Sequence, residues 1–154
     1  MEQGTWRILL YHSSRCRNVF RKKWKEVLGE EVMTDKRKRP QKLSGFTYQV
    51  ETGCGSMYVT INEDGGMPFE VFATMGKAGG CAASQIEAIG RLISLGLRSG
   101  VQIEQVVRQM QGISCHSVLG TGEHRILSCA DAVAKTIYSY LKDREENKDD
   151  MHTS

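Results

Sequence analysis

Four cysteines carry the strongest chemical signal in the chain, because each lies where a regular element is predicted to begin or end. They are Cys54, Cys81, Cys115 and Cys129, and Gly or Ser flanks every one of them. Small neighbours allow close backbone approach and N–H donation to sulfur, and a helix N-terminus favours the thiolate. A thiolate can ligate zinc or act as a redox nucleophile, so both chemistries are open.

The spacing of these cysteines leaves three alternatives. Four thiolates around one ion suit tetrahedral zinc, which would tie a sheet to two helices. The separations are 27, 34 and 14 residues and contain no Cys-x-x-Cys knuckle, so a redox-active dithiol pair and separate core cysteines also remain. Cys16 stands apart and is expected to be incidental, whereas His116 could replace one ligand.

The glycine-rich turn Gly76-Lys77-Ala78-Gly79-Gly80 is a second candidate site. Unobstructed backbone N–H groups, one lysine and a helix N-terminus are features of an anion site, so Gly76, Lys77, Gly79 and Gly80 are candidate nucleotide-binding residues. Lys77 precedes the glycines, which does not fit the Walker spacing. The alternative is a tight strand-to-helix turn without a ligand.

No motif for hydrolytic or nucleophilic catalysis is recognisable. The four histidines lie in or near predicted loops or termini: His12, His116, His124 and His152. We therefore predict no catalytic residue and do not expect the chain to be an enzyme on its own.

The elements that position these residues are predicted from hydrophobic periodicity. Alternation with β-branched and aromatic residues predicts strands over 46–50, 57–61 and 68–74, and the short Gly-rich connections favour an antiparallel meander. Helical periodicity follows over 81–98 and 101–111. The sequence therefore predicts an α+β fold in which a three-stranded meander packs against two or three helices.

Ser128 is predicted to cap a third helix, which runs to about Leu141. Asp131 follows three residues after the Ser, as a carboxylate does in a capping box. The loop-like stretch 112–127 precedes this helix. The charged tail from Lys142 is expected to fray.

Composition suits one ordinary globular domain, with 154 residues, 40% apolar residues and a net charge of +3. No apolar run approaches the length of a membrane span or a signal peptide, so a cytoplasmic protein with no membrane partner is expected. Residues 1–42 hold 12 Lys and Arg against 5 Asp and Glu, a net of +7, whereas the remainder holds 9 against 13, a net of −4. We therefore divide the chain into a basic helical extension and linker (1–42), a domain (43–141) and a charged tail (142–154).

The N-terminal extension contains a predicted basic amphipathic helix. Its apolar face comprises Phe20, Trp24, Val27 and Leu28, and its reverse side is basic. Such a helix could meet nucleic acid, an acidic partner or a membrane surface, or simply dock on its own domain. Residues 36–40 read as an exposed basic linker.

Ordered motifs over roughly residues 39–140 resemble the TSCPD domain. They include Arg39-Pro40, Leu43-Ser44-Gly45, Thr52-Gly53-Cys54-Gly55, Pro68-Phe69-Glu70-Val71-Phe72, Gly76 to Cys81, Gly112-Ile113-Ser114-Cys115 and Ser128-Cys129-Ala130-Asp131. That domain occurs near the C-terminus of adenosylcobalamin-dependent ribonucleotide reductases and in small stand-alone proteins. The resemblance implies a metal-binding module with ligands at Cys54, Cys81, Cys115 and Cys129, and hence zinc as the cofactor.

The chain departs from the family motif at three positions. Leu127 replaces Thr, Ala130 replaces Pro, and Cys115-His116 replaces a common Cys-Pro. Pro at the first turn of a helix only preorganises what Ala also accepts, so the fold should survive. The chain also lacks room for the large catalytic barrel of a reductase.

The expected function is a non-catalytic, cysteine-metal-stabilised accessory or regulatory module related to ribonucleotide reductase and deoxyribonucleotide synthesis. Its partners would be a reductase, a nucleotide or, through the basic N-terminal helix, a nucleic acid, and it could form a homo-oligomer. Two alternatives remain. One is a thiol–disulfide shuttle for a reductase, and the other is a small nucleotide-binding protein that uses the turn from Gly76 to Gly80.

Overall fold

The computed structural model describes residues 36–76 and 80–151. Three strands form one antiparallel sheet in the order β1-β2-β3, and helices follow them along the chain. The elements are β1 (Ser44–Thr52), β2 (Gly55–Asp64), β3 (Met67–Met75), α1 (Gly80–Arg98), α2 (Ile103–Met110), a short 3-10 helix (Gly122–His124) and α3 (Cys129–Met151). The predicted α+β meander is confirmed, while the predicted basic helix near residues 15–28 lies outside the described residues.

The core lies between one face of the sheet and the three helices. The alternation predicted for β2 places Met57, Val59 and Ile61 on this inner face, and each is fully buried. Side chains from β3 and the helices complete the same cluster, among them Val71, Ala73, Ile86, Ile93, Val107, Val133, Ile137 and Tyr140. The opposite face of the sheet, which we call the outer sheet face, therefore points away from this core.

Helix α1 covers the edge of β3 that is not paired with β2. Ser94 Oγ accepts a hydrogen bond from the Val71 N–H and donates one to the Val71 carbonyl, both at 2.9 Å. A Cβ atom on Gly90 would lie 3.1 Å from the Val71 carbonyl oxygen, so glycine lets the helix approach the strand. This helix therefore satisfies main-chain groups that an edge strand would otherwise leave open.

Helix α3 is longer than the sequence predicts, because it continues to Met151 instead of fraying from residue 142. Tertiary contacts hold it as far as Arg144. Tyr140 donates a hydrogen bond to Glu63 at 2.6 Å, and Arg144 pairs with the same carboxylate at 3.3 Å. Burial and the bond to Glu63 raise the pKa of Tyr140. The Tyr48 hydroxyl donates to Asp143 at 3.2 Å.

The segment before β1 is bound to the domain through Arg37. The Arg37 N–H donates to the Arg98 carbonyl, and Arg98 Nε donates back to the Arg37 carbonyl, each at 3.0 Å. Both guanidinium groups also contact the Phe69 ring, at 4.9 and 5.5 Å from its centroid. The stretch predicted as an exposed basic linker is thus fixed at one end of the sheet.

Arg39 neutralises a buried carboxylate on the outer sheet face. Its guanidinium donates to both oxygens of Glu70, at 2.8 to 3.1 Å, and Asn62 Nδ2 donates a further bond at 2.9 Å. Glu70 is only 3% exposed. Burial by itself would raise the pKa of Glu70, but the bonds from Arg39 and Asn62 outweigh it and hold the pKa below its usual value.

Candidate functional site

Three of the four candidate cysteines converge at one end of the sheet. Cys54 lies in the turn between β1 and β2, Cys129 is the first residue of α3, and Cys115 lies in the loop that follows α2. Interaction with the neighbouring Cys129 thiol raises the pKa of Cys54. Burial and the nearby Cys115 thiol add smaller increases. We call these three residues the cysteine cluster.

Thr52 joins two members of the cysteine cluster. Its Oγ1 accepts hydrogen bonds from the Cys54 N–H at 3.2 Å and from the Cys129 Sγ–H at 3.6 Å. The same hydroxyl donates to the Gly55 carbonyl at 2.8 Å, which closes the turn. Sequence reasoning missed this role, although a Thr two residues before a turn residue is a known turn-forming pattern.

Gly53 brings the turn against the loop that carries Cys115. A Cβ atom on Gly53 would stand 2.0 Å from the Ser117 carbonyl oxygen, so a side chain there would collide with that backbone. The Ser117 N–H in turn donates to Cys115 Sγ at 3.3 Å. The contact thus places Cys115 beside the turn that holds Cys54.

Ser128 caps α3 as the sequence predicts. Its Oγ accepts a hydrogen bond from the Asp131 N–H at 3.1 Å and donates to the Ile113 carbonyl at 2.6 Å. Cys129 therefore begins a helix whose first turn is fixed to the preceding loop.

The Asp131 carboxylate holds both ends of that loop. It accepts hydrogen bonds from the Gly112 N–H at 2.9 Å and the Leu127 N–H at 3.0 Å, and it pairs with Lys135 at 2.9 Å. Its side chain is buried. Burial would raise the pKa of Asp131, but the two backbone bonds and Lys135 together lower it below the usual value. The capping-box pattern predicted the residue but not its bond to Gly112.

Cys81 lies at the same end of the sheet but is exposed at the start of α1. The Gly76 N–H donates to the Ser56 carbonyl at 2.8 Å, so β3 ends beside the turn that carries Cys54. Four residues lie between Gly76 and Cys81, so their Cα atoms can be at most about 18 Å apart. The structure therefore joins the segments that carry Cys54, Cys115 and Cys129 and places Cys81 at the exposed start of α1.

Comparison with protein families gives a match that includes the cysteine cluster. Residues 28–141 match the model of the TSCPD domain. The chain belongs to the TSCPD domain family. The TSCPD domain is associated with ribonucleotide reductases, so the match supports that general context. No curated protein and no solved structure gives a significant match to the chain.

The candidate ligands of this TSCPD domain are sulfur donors of the kind that zinc prefers, but they do not surround a common point. Within residues 36–76 and 80–151, no group of three or more His, Cys, Asp or Glu side chains is placed to hold a metal ion. The cysteine cluster nevertheless offers three sulfur donors from separate segments, and sulfur is a preferred zinc ligand. His116 is exposed beside Cys115.

The glycine-rich turn of the TSCPD domain is only partly described. Gly76 follows β3 and Gly80 begins α1 with a φ of +88°, a conformation that favours glycine. Lys77 and Gly79 lie outside the described residues, so the nucleotide-binding hypothesis stays a prediction.

Among the helices of the described ranges, none is long and apolar enough to cross a membrane.

Proposed function

We propose that this TSCPD domain is a non-catalytic accessory or regulatory module for ribonucleotide reduction, stabilised by one zinc ion. The observation that carries the zinc proposal is the convergence of Cys54, Cys115 and Cys129 from three separate segments. The family match supports the reductase context. The two parts are separate claims and need separate experiments.

The surroundings of the cysteine cluster suit thiolate ligands. The Ser117 N–H already donates to Cys115 Sγ, and the N-terminal end of α3 carries partial positive charge beside Cys129. Cys81, at the start of α1, is the remaining candidate cysteine ligand among the described residues. Bound zinc would supply cross-links between the sheet and two helices, as structural zinc does in other small domains.

Four cysteine ligands would also explain a non-catalytic role. Structural zinc sites are filled by four protein ligands, whereas catalytic sites keep one position for water or substrate. With Cys54, Cys81, Cys115 and Cys129 all bound, the metal would have no open position for chemistry. We therefore assign the ion to stability rather than to a reaction.

Elemental analysis of the full chain tests the zinc. We expect one zinc per chain, with X-ray absorption showing sulfur neighbours at about 2.3 Å. Replacing any one of Cys54, Cys81, Cys115 and Cys129 by Ser should lower both zinc content and melting temperature, while Cys16→Ser should change neither. A folded protein that contains no zinc and binds none when zinc is added would overturn the proposal.

The accessory role is tested separately by association with a reductase. Zinc-loaded chain should co-sediment with the ribonucleotide reductase of the same organism and change its turnover while showing no reductase activity alone. Zinc binding without any association or effect on turnover would leave the metal site standing and reject the accessory role.

A thiol–disulfide shuttle is the second candidate, favoured by the position of Cys54 and Cys129 on either side of the Thr52 hydroxyl, which is hydrogen-bonded to both residues. In that reaction the two thiols would give two electrons and two protons to a disulfide acceptor, which leaves as two thiols, and a Cys54–Cys129 disulfide would form. Titration in glutathione redox buffers, followed by peptide mapping, separates the candidates. The shuttle would be favoured if metal-free protein forms a reversible Cys54–Cys129 disulfide and if the cycling of that disulfide supports the activity of a ribonucleotide reductase.

A further inference from the structure

The outer sheet face presents two exposed aromatic rings among Thr and Gln side chains, with the Arg39–Glu70 pair at one end and Glu51 at the other. Tyr58 on β2 is 39% exposed and Phe72 on β3 is 47% exposed. The strand register puts further outward-facing neighbours around them, namely Thr47, Gln49, Thr60 and Thr74. Exposed aromatic residues on one sheet face need a physical explanation, because the core of this domain lies on the other face.

The two rings lie on adjacent strands at diagonal positions. Thr60 pairs with Phe72 and Tyr58 pairs with Thr74, which offsets the rings by two residues. Diagonal residues of an antiparallel pair are about 7 to 8 Å apart. That distance is about twice the 3.4 Å rise of a stacked strand, so an extended single strand could place one base on each ring.

Cations adjoin one end of the same face. Residues 36–42 contain five Lys and Arg and no Asp or Glu. Arg39 is fixed there because its partner Glu70 lies on the outer sheet face, and Lys38 and Lys42 are exposed. The pair with Arg39 also neutralises Glu70, which leaves Glu51 as the exposed acid at the far end of the three strands.

We propose that the outer sheet face binds single-stranded nucleic acid. Tyr58 and Phe72 stack on two bases, Thr and Gln side chains offer hydrogen bonds to base edges, and Lys38 and Lys42 attract the phosphates. Stacking platforms beside positive charge are the usual means of binding single strands with little sequence preference. This site is independent of the zinc proposal and of the predicted N-terminal basic helix.

Fluorescence anisotropy with the full chain tests the proposal, using labelled twelve-residue oligothymidine and an abasic oligonucleotide of equal length. We expect the base-bearing strand to bind at least tenfold more tightly. Tyr58→Ala and Phe72→Ala should each weaken its binding on the order of 5- to 100-fold and leave the abasic strand unaffected. Tyr138→Ala is the matched control, because Tyr138 is also exposed, at 47%, but lies on α3.

Lysine variants test the electrostatic half of the proposal. Lys38→Gln and Lys42→Gln should weaken both strands and reduce the salt dependence of binding. Melting temperatures of all variants establish that they fold, since the altered side chains are exposed.

Three results would overturn the proposal. One is no binding of oligothymidine, and another is equal binding of the base-bearing and abasic strands, which would assign the affinity to charge alone. The third is a self-associating chain whose dimer is dissociated by Phe72→Ala while oligothymidine binding is unchanged. That result would assign the outer sheet face to a second copy of the chain.

Discussion

The backbone of Gly53 lies against the carbonyl oxygen of Ser117, where a Cβ atom on residue 53 would approach that oxygen to 2.0 Å. We expect Gly53→Ala to push the loop away from the turn, because backbone on both sides must move. The loss should be on the order of 1 to 3 kcal/mol in the free energy of unfolding. Urea denaturation measures it, with zinc content as a second readout.

Ser56→Ala is the control for this change, since it removes only a hydroxyl group two residues beyond the same turn. Its unfolding midpoint should match that of the wild type. A wild-type midpoint for Gly53→Ala as well would show that the contact between turn and loop adds no stability.

Asp131→Asn should destabilise the domain at neutral pH by about 2 to 3 kcal/mol, because an amide cannot replace a buried charged acceptor of two N–H groups. The folded state lowers the pKa of Asp131. The stability that Asp131 contributes is therefore fully present above its unfolded-state pKa of about 3.9 and is lost as the pH falls toward its folded-state pKa. Unfolding of both proteins between pH 7 and pH 2 should show the difference shrinking below about pH 4. A constant difference would contradict the ionic role.

Arg39→Gln should destabilise the domain, whereas Lys38→Gln should not. The first change leaves the buried Glu70 carboxylate without its bidentate partner, and the second removes an exposed cation of the same segment. Thermal melting at neutral pH compares the two. Adding Glu70→Gln to Arg39→Gln should recover part of the loss, because no buried charge then remains unpaired.

Two glycines of α1 should respond in opposite ways to alanine. A Cβ on Gly96 would meet only the Val101 side chain, at 3.6 Å, whereas one on Gly90 would press on β3 main chain at 3.1 and 3.2 Å. Gly96→Ala should therefore gain about 0.5 to 1 kcal/mol from helix propensity. Gly90→Ala should unfold at lower urea than Gly96→Ala, and the reverse order would refute the close approach.

The fold could be predicted from the sequence where burial imposes a period. The alternation through Met57, Val59 and Ile61 places β2 correctly, and Ser128 identifies the start of α3. The extension of α3 could not be predicted, because charged residues after 142 give no apolar stripe. Contacts of Asp143 and Arg144 with the sheet hold that stretch instead.

The cysteine cluster could be predicted only in part. The predicted ends of strands and helices point to the four cysteines as candidate site residues. Nothing in their sequence separations indicates that Cys54 lies close to Cys129. That meeting depends on three long-range contacts: Thr52 with Cys129, Gly53 with Ser117, and Gly112 with Asp131.

The two hydrogen bonds between Ser94 Oγ and the Val71 main chain limit how this sheet could be extended. A sheet grows into a fibre only when strands can be added at both of its edges. In the part of the chain that the structure describes, α1 occupies the β3 side, so strand addition there could use only the β1 side. Two copies joined through β1 would form a six-stranded sheet with a helix at each end, and growth would stop there.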